Sequence, residues 1–215
     1  GPQDNIFSID AAELEQRLKK CPAIRRASVK RQISSNPTLL VDIDARIPVA
    51  WIDCPELGIH PGDATYGALA DKEGVIFPCM EQVHMPYIRE KRMPSVTLRP
   101  PSSGKLSYGV SIRELEAPMK LIELLSGTVT EYLPSIVSIT TPNDWSFCVR
   151  FTNDCQATFS HYGLEHQVEK LSRALRHARH THRKISSINL IPEHNIPVIF
   201  DDSYEDIPLA EPIEE

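Results

Sequence analysis

A chain of 215 residues, 41% hydrophobic and 24% charged, can bury one large or two small cores, which excludes a disordered or fibrous protein. The formal net charge of -6 is a property of the C-terminus. Asp201, Asp202, Glu205, Asp206, Glu211, Glu214 and Glu215 follow Phe200 without a lysine or arginine, and the other 23 basic and 22 acidic residues leave a body of about +1. No run approaches the roughly 18 apolar residues that cross a bilayer, and no signal peptide is present.

Gly1-Pro2 reads as the remnant of a cleaved tag, with residues 1–4 as linker. Residues 5–9 have the composition of a short strand, and Asp10-Ala11-Ala12-Glu13 has the spacing of a capping box that opens a helix. Leu14, Leu18 and Cys21 fall on one helical stripe, Pro22 ends it, and Ile24 lies in a second, very short helix. Two runs of period two follow. Ala27, Val29 and Ile33 alternate with Ser28, Lys30 and Gln32; then Leu39, Val41, Ile43, Ala45, Ile47, Val49 and Trp51 alternate with polar residues that include Asp42, Asp44 and Arg46. Alternation of this kind means one buried and one wet face. The polar cluster Ser34-Ser35-Asn36-Pro37 between the runs makes them an antiparallel hairpin. Strand, helix, short helix, strand, strand predicts a three-stranded sheet covered on one face by two helices.

Residues 53–63 lack periodicity and read as a surface loop. Strands at 66–70 and 75–77 flank the turn tetrapeptide Asp71-Lys72-Glu73-Gly74. Residues 85–108, with Pro86, Pro94, Pro100 and Pro101, predict an extended connection without a helix. From Pro118 the pattern is helical through Leu121, Ile122, Leu124 and Leu125 to Gly127, with a second piece at 128–133. Strands at 136–140, at 145–151 with Trp145, Phe147, Val149 and Phe151 in alternation, and at 155–159 come next. Leu164, Val168, Leu171, Ala174, Leu175 and Ala178 form the stripe of a long helix whose opposite face carries Lys170, Arg173, Arg176 and Arg179. Strands at 185–191 and 196–200 close the fold around Pro192-Glu193-His194-Asn195. Residues 201–215 have the composition of a disordered acidic tail.

Little of this carries chemistry. His177, His180 and His182, with His161 and His166 upstream, are candidate metal ligands, but no acid or cysteine at ligand spacing completes the set and the interleaved arginines repel a cation. A solvated basic helix end is expected, with no metal and no cofactor. The chain has no G-x-S-x-G elbow and no H-E-x-x-H, so no catalytic residues are assigned and the protein reads as no enzyme. The basic run 173–184 lacks interleaved aromatics, which argues against nucleic acid. Among five cysteines without a C-x-x-C pair, Cys54 and Cys79 bracket a segment that folds back on itself. Either they form a disulfide in an oxidising compartment or all five thiols stay reduced.

The last strand is the best candidate site. Pro192 and Pro197 lie beside or within it, and proline in a sheet is confined almost wholly to edges. Ile196, Val198, Ile199 and Phe200 offer no charge to discourage pairing, so a partner's strand can add there. The alternative is that this segment merely closes the sheet under the acidic tail.

Taken in order, Ile24, Ala27, Val29, Arg31, Pro37-Thr38-Leu39, Val41, Ile43 and Arg46-x-Pro48-Val49-Ala50, with the Asp71-x-x-Gly74 turn, resemble the POTRA module of the FtsQ/DivIB family of bacterial cell division proteins. The run Leu164-Glu165-His166-Gln167-Val168-Glu169-Lys170-Leu171 ahead of Ile188-Asn189-Leu190 is similar to that family's β-domain. Ala45 departs from the glutamate usual there, and the loop at 34–37 is longer.

The resemblance implies an α+β fold: an N-terminal POTRA module (β-α-α-β-β) at 5–52, then a larger mixed β-domain at 53–200 with two helices on a mainly antiparallel sheet. It implies a non-enzymatic divisome scaffold, the periplasmic part of a single-pass inner-membrane protein at the division septum, anchored by a transmembrane helix that precedes these residues. Its last strand would dock FtsB/FtsL-like partners, and it would contact the septal cell-wall synthases. Arg25, Arg26, Lys30 and Arg31 would form a second docking surface, facing the inner membrane or another division protein. The rival readings are a POTRA-containing protein of outer-membrane assembly or secretion, which carries tandem modules and a barrel, and a secreted hydrolase on an unfamiliar fold.

Overall fold

Asp10 accepts the backbone N–H groups of Ala12 and Glu13 at 2.8 and 3.1 Å, satisfying two donors left open at the start of helix α1 (Ala11–Lys19). The helix opens a computed structural model that describes residues 9–33, 38–90, 92–127 and 133–201. The expected strand at 5–9 and helical piece at 128–133 therefore lie outside the described residues apart from Ile9 and Leu133, as do the loop at 34–37 and the tail from 202. The chain divides into two compact units, residues 1–119 and 120–215.

In the first unit the expected short second helix does not form. The Ile24 N–H closes a turn onto the Cys21 carbonyl at 3.0 Å, and Ile24 itself begins β1 (Ile24–Gln32), opposite Ala45 of β2 (Thr38–Ala45). The pair is antiparallel, with Ala27 opposite Ile43 and Val29 opposite Val41. Helix α1 packs over β1, and Ala27 and Val29 are buried.

The single buried face expected from Leu39 to Trp51 needs two corrections. Val41 and Ile43 stay exposed, because their partners on β1 take the cover of the helix. The run also breaks after Ala45, since Pro48 has no N–H with which to continue a ladder. The chain resumes as β3 (Ala50–Asp53) in a different sheet, antiparallel to β4 (Ala68–Ala70) and parallel to β6 (Ser95–Thr97). With β5 (Ile76–Pro78) beyond β4, this sheet has the order β6-β3-β4-β5. Trp51, Ile52, Leu69, Phe77 and Val96 fill its core.

The turn between β4 and β5 is built by Asp71, whose Oδ1 accepts the N–H groups of Glu73 and Val75, each at 3.0 Å. Gly74 in that turn has φ 72°, and a Cβ there would sit 3.3 Å from the Leu115 Cβ, so the position favours glycine on both backbone and space. The other carboxylate oxygen of Asp71 accepts the Arg46 Nη1 at 2.6 Å, while Arg46 Nε donates to the Pro22 carbonyl at 3.1 Å. One guanidinium thus ties the hairpin, the α1–β1 turn and the β4–β5 turn together.

The extended connection expected over residues 85–108 is in part helical, since Glu81–Glu90 form helix α2. Its start is capped by a residue the pattern did not reveal: His84 Nδ1 accepts the Met80 N–H at 2.9 Å. Helix α3 (Arg113–Gly127) likewise begins before the expected Pro118, which it carries in its interior. The division between the units falls within α3.

The second unit holds β7 (Ile136–Thr140), β8 (Ser146–Phe151) and β9 (Gln156–Ser160) as an antiparallel meander, then α4 (Leu164–His180), β10 (Lys184–Asn189) and β11 (Val198–Asp201). Strand β10 lies parallel to β9, and β11 antiparallel to β10. Phe147, Val149, Phe151, Ala157 and Phe159 are buried, and the Phe147 and Phe159 rings stack at 5.6 Å. Trp145, expected to alternate with Phe147, precedes the strand and is 60% exposed. The architecture is α+β, and the described part of residues 53–200 holds three α-helices where two were expected.

The Arg46 and Asp71 side chains are only 14% and 7% exposed, so removing one strands the other in a poorly hydrated place. Asp71→Ala is expected to lower stability by about 3 kcal/mol, read as a fall in the urea midpoint. His84 supplies a second prediction. Its Nε2 is buried without a partner among the described residues, and burial lowers its pKa below the ordinary 6.5. The unfolded chain then binds the proton more readily, so the ring contributes no penalty above about pH 6.5 and stability falls as the pH drops below it. His84→Gln is expected to flatten that dependence in denaturation measured between pH 5 and 8.

Candidate functional site

The site is the outer strand of the second unit, and α4 sets its position. The helix buries Leu164, Val168, Leu171 and Ala178 and packs on β9 and β10. Two polar residues on the same side tie it to loops. Gln167 is buried; its Oε1 accepts the Ser160 N–H at 2.8 Å and its Nε2 donates to the Tyr162 carbonyl at 2.6 Å, fixing the turn from β9 into the helix. Lys170, assigned from the sequence to the wet basic face, is instead buried and donates to the Pro192 carbonyl at 2.8 Å. It sits one position from Leu171, at the margin of the apolar stripe, where a long side chain can run along the core and reach a carbonyl. That bond pins the connection from β10 to β11.

β11 ends the strand order of this unit, with β10 as its neighbour. Val198 stands opposite Ile188 and Phe200 opposite Ile185, with an irregularity in β10 between Ile185 and Ser187. The Asn189 N–H bonds the Pro197 carbonyl at 3.0 Å. In an antiparallel pair the residue next to such a bonded pair turns its own N–H and C=O away, so Val198, and by alternation Phe200, aim their backbone groups outward. Pro197 precedes β11, and its carbonyl faces β10, so the donor that proline lacks is missing from the parent sheet and not from the outer side.

The candidate partner-binding residues are therefore brought together in part. Val198, Ile199 and Phe200 lie on β11, while Ile196 precedes it. Val198 and Phe200 share the face of Ile185 and Ile188 and are half-buried; Ile199 points to the other face and is 63% exposed. The arrangement offers main-chain pairing with an apolar side chain on each face, the chemistry of strand addition. One participant escaped the sequence reading: the Arg183 guanidinium lies 3.5 Å from the centroid of the Phe200 ring. Sequence separation hides such a pair until β10 and β11 meet. At the end of the strand, Lys184 Nζ and Asp201 Oδ2 are 3.7 Å apart.

The four basic residues expected to form a second docking surface differ in their surroundings. Arg25 Nη2 donates to Glu73 at 2.6 Å, and Arg31 donates to the Ile9 carbonyl. Arg26 and Lys30 are exposed and lie on the same side of β1. Cys54 and Cys79, the pair named for a possible disulfide, are both free and buried. They directly follow β3 and β5, which β4 separates; those two strands lie roughly 10 Å apart, two strand spacings, where a bridge needs Cα atoms within about 7 Å. His177, His180 and His182 are exposed at the end of α4, and no group of three or more histidine, cysteine or acidic residues arranged for a metal occurs among the described residues. No helix among the described residues is long and apolar enough to cross a membrane.

Residues 1–44 match the family model described as POTRA domain, FtsQ-type. No curated protein matches the chain. The match is confined to the first 44 residues and supports an FtsQ/DivIB-like POTRA domain there, a kind of module that generally mediates protein–protein contact rather than catalysis.

Burial raises the pKa of the Cys54, Cys79 and Cys148 thiols, and that of Cys155 to about 11. All four stay protonated at pH 8, and the thiolate is the reactive form. Half-exposed Cys21 is expected to alkylate first with iodoacetamide at pH 8 and Cys155 last, as read by mass spectrometry of quenched time points.

Proposed function

We propose that this chain is the extracytoplasmic part of an FtsQ/DivIB-like division protein: a non-enzymatic scaffold that docks an FtsB/FtsL-like partner as an added strand on β11. The observation that carries the reading is the outer side of β11, which has no strand beside it among the described residues: there Val198 and Phe200 direct backbone groups outward and Ile199 lies exposed. The FtsQ-type POTRA match over residues 1–44 supports the same assignment. On this reading the POTRA module extends over residues 5–52 and the β-domain over 53–200, and a membrane helix preceding these residues holds the protein in the inner membrane at the septum. The septal cell-wall synthases are the further partners, with Arg26 and Lys30 as the remaining part of the second surface.

Strand addition takes its affinity from main-chain bonds and its selectivity from the side chains beside them. Phe200→Ala removes the large apolar anchor and is expected to weaken binding of a soluble FtsB/FtsL segment by about 2 kcal/mol, roughly thirtyfold. Val198→Asp places a charge against the incoming strand and should weaken it at least as much. Both variants are checked for an unchanged circular dichroism spectrum, and binding is measured by calorimetry. Unaltered affinity in both would remove β11 as the docking edge.

A further inference from the structure

Arg183 lies beyond the end of α4, where its N–H bonds the Ala178 carbonyl at 2.8 Å. Its side chain is exposed, yet it does not trail into solvent: the guanidinium is laid over the Phe200 ring at 3.5 Å from the centroid. A guanidinium held over an aromatic face by its central carbon can still offer N–H groups to an acceptor beside the ring, and its place is restricted before any ligand arrives. The cations nearest in sequence are otherwise engaged: Lys184 lies against Asp201, and Arg179 also has a partner. Arg183 has no acid partner among the described residues. A planar donor fork with its geometry already restricted, beside a strand edge that has no outer neighbour among the described residues, is suited to a carboxylate.

We propose that Arg183, stacked on Phe200, is a carboxylate-reading element of the β11 edge, so that the segment added there is an extended peptide with an aspartate or glutamate placed to reach this guanidinium. The inference rests on β11 being the docking edge and adds the chemistry of what is accepted. Phe200 then has two functions, as an apolar anchor and as the platform that orients Arg183. A partner strand with a basic or neutral residue at that position forms the same main-chain bonds but leaves the guanidinium without its acceptor.

The test needs no identified partner. A displayed library of random nine-residue peptides is selected against the whole chain, and selected peptides are measured by calorimetry against the unaltered protein, Arg183→Gln and Arg183→Lys. The expected result is enrichment of aspartate or glutamate at one position of the selected peptides. Arg183→Gln should then cost about tenfold in affinity and Arg183→Lys less, and changing the peptide's acid to its amide should cost the same tenfold in the unaltered protein but nothing further in Arg183→Gln. Hydrogen exchange of the Val198 and Phe200 amides locates the bound peptide. Peptides that protect those amides but show no acidic preference, or that bind Arg183→Gln equally well, overturn the role of Arg183 and leave the edge reading standing. Peptides that leave both amides unprotected overturn the edge reading, and this inference with it. An acidic preference that emerges only when residues 202–215 are deleted assigns Arg183 to the chain's own carboxylates and overturns the proposal of a partner's acid.

Discussion

Arg46 is the residue on which the first unit depends. It stands where the chain leaves the β1–β2 hairpin, and its guanidinium joins two places that strand pairing does not connect, the Pro22 carbonyl and the Asp71 carboxylate. Its own N–H bonds the Ala23 carbonyl at 2.9 Å. Among the described residues the hairpin has only α1 above β1, and a two-stranded sheet of this size is marginal by itself in water. Arg46 links it to a sheet with a full apolar core. Arginine suits the position because one planar group can serve a carbonyl and a carboxylate in different directions, which a lysine ammonium on a flexible stem does less well.

A comparable economy governs the second unit. β11 is short, its partner β10 is irregular between Ile185 and Ser187, and Pro197 withholds a donor from the parent sheet. Each feature weakens the attachment of the last strand. The Lys170 bond to the Pro192 carbonyl and the Arg183 stack on Phe200 work in the opposite direction, each linking the end of the fold to α4 or the segment just after it. The outward backbone groups of Val198 and Phe200 are consequently presented at a defined place. Long apolar edges are ordinarily masked by charge or bulges; here Ile199 remains exposed, and the charged residues gather at the Asp201 end.

Much of the second unit was legible in the residues. Period two marked β7, β8 and β9, period 3.6 marked α4, and turns rich in proline, asparagine and aspartate separated them, because these elements bury one face against a single neighbouring layer. The failures share a different cause. The run from Leu39 to Trp51 keeps its alternation across Pro48 although its two parts belong to different sheets; alternation reports a side chain's face and says nothing about which strand lies alongside. Helix α2 was hidden by Pro86 and by a cap that comes from a histidine inside the helix. Lys170 was assigned to water from its charge, and its burial depends on a carbonyl 22 residues away.

By itself the sequence determined the α+β class, the hairpin at its start, the long amphipathic helix near its end, the acidity concentrated after Phe200 and the edge character of the last strand, since proline chemistry and periodicity are local properties. Only the tertiary structure decided that Val41 and Ile43 are left uncovered, that Cys54 and Cys79 are held apart by β4, which side of β11 bears the proline's missing donor, and that Arg183 rests on Phe200. Each of these depends on which segments become neighbours in space, and that is set by the competition among all buried faces at once rather than by the pattern within any one of them.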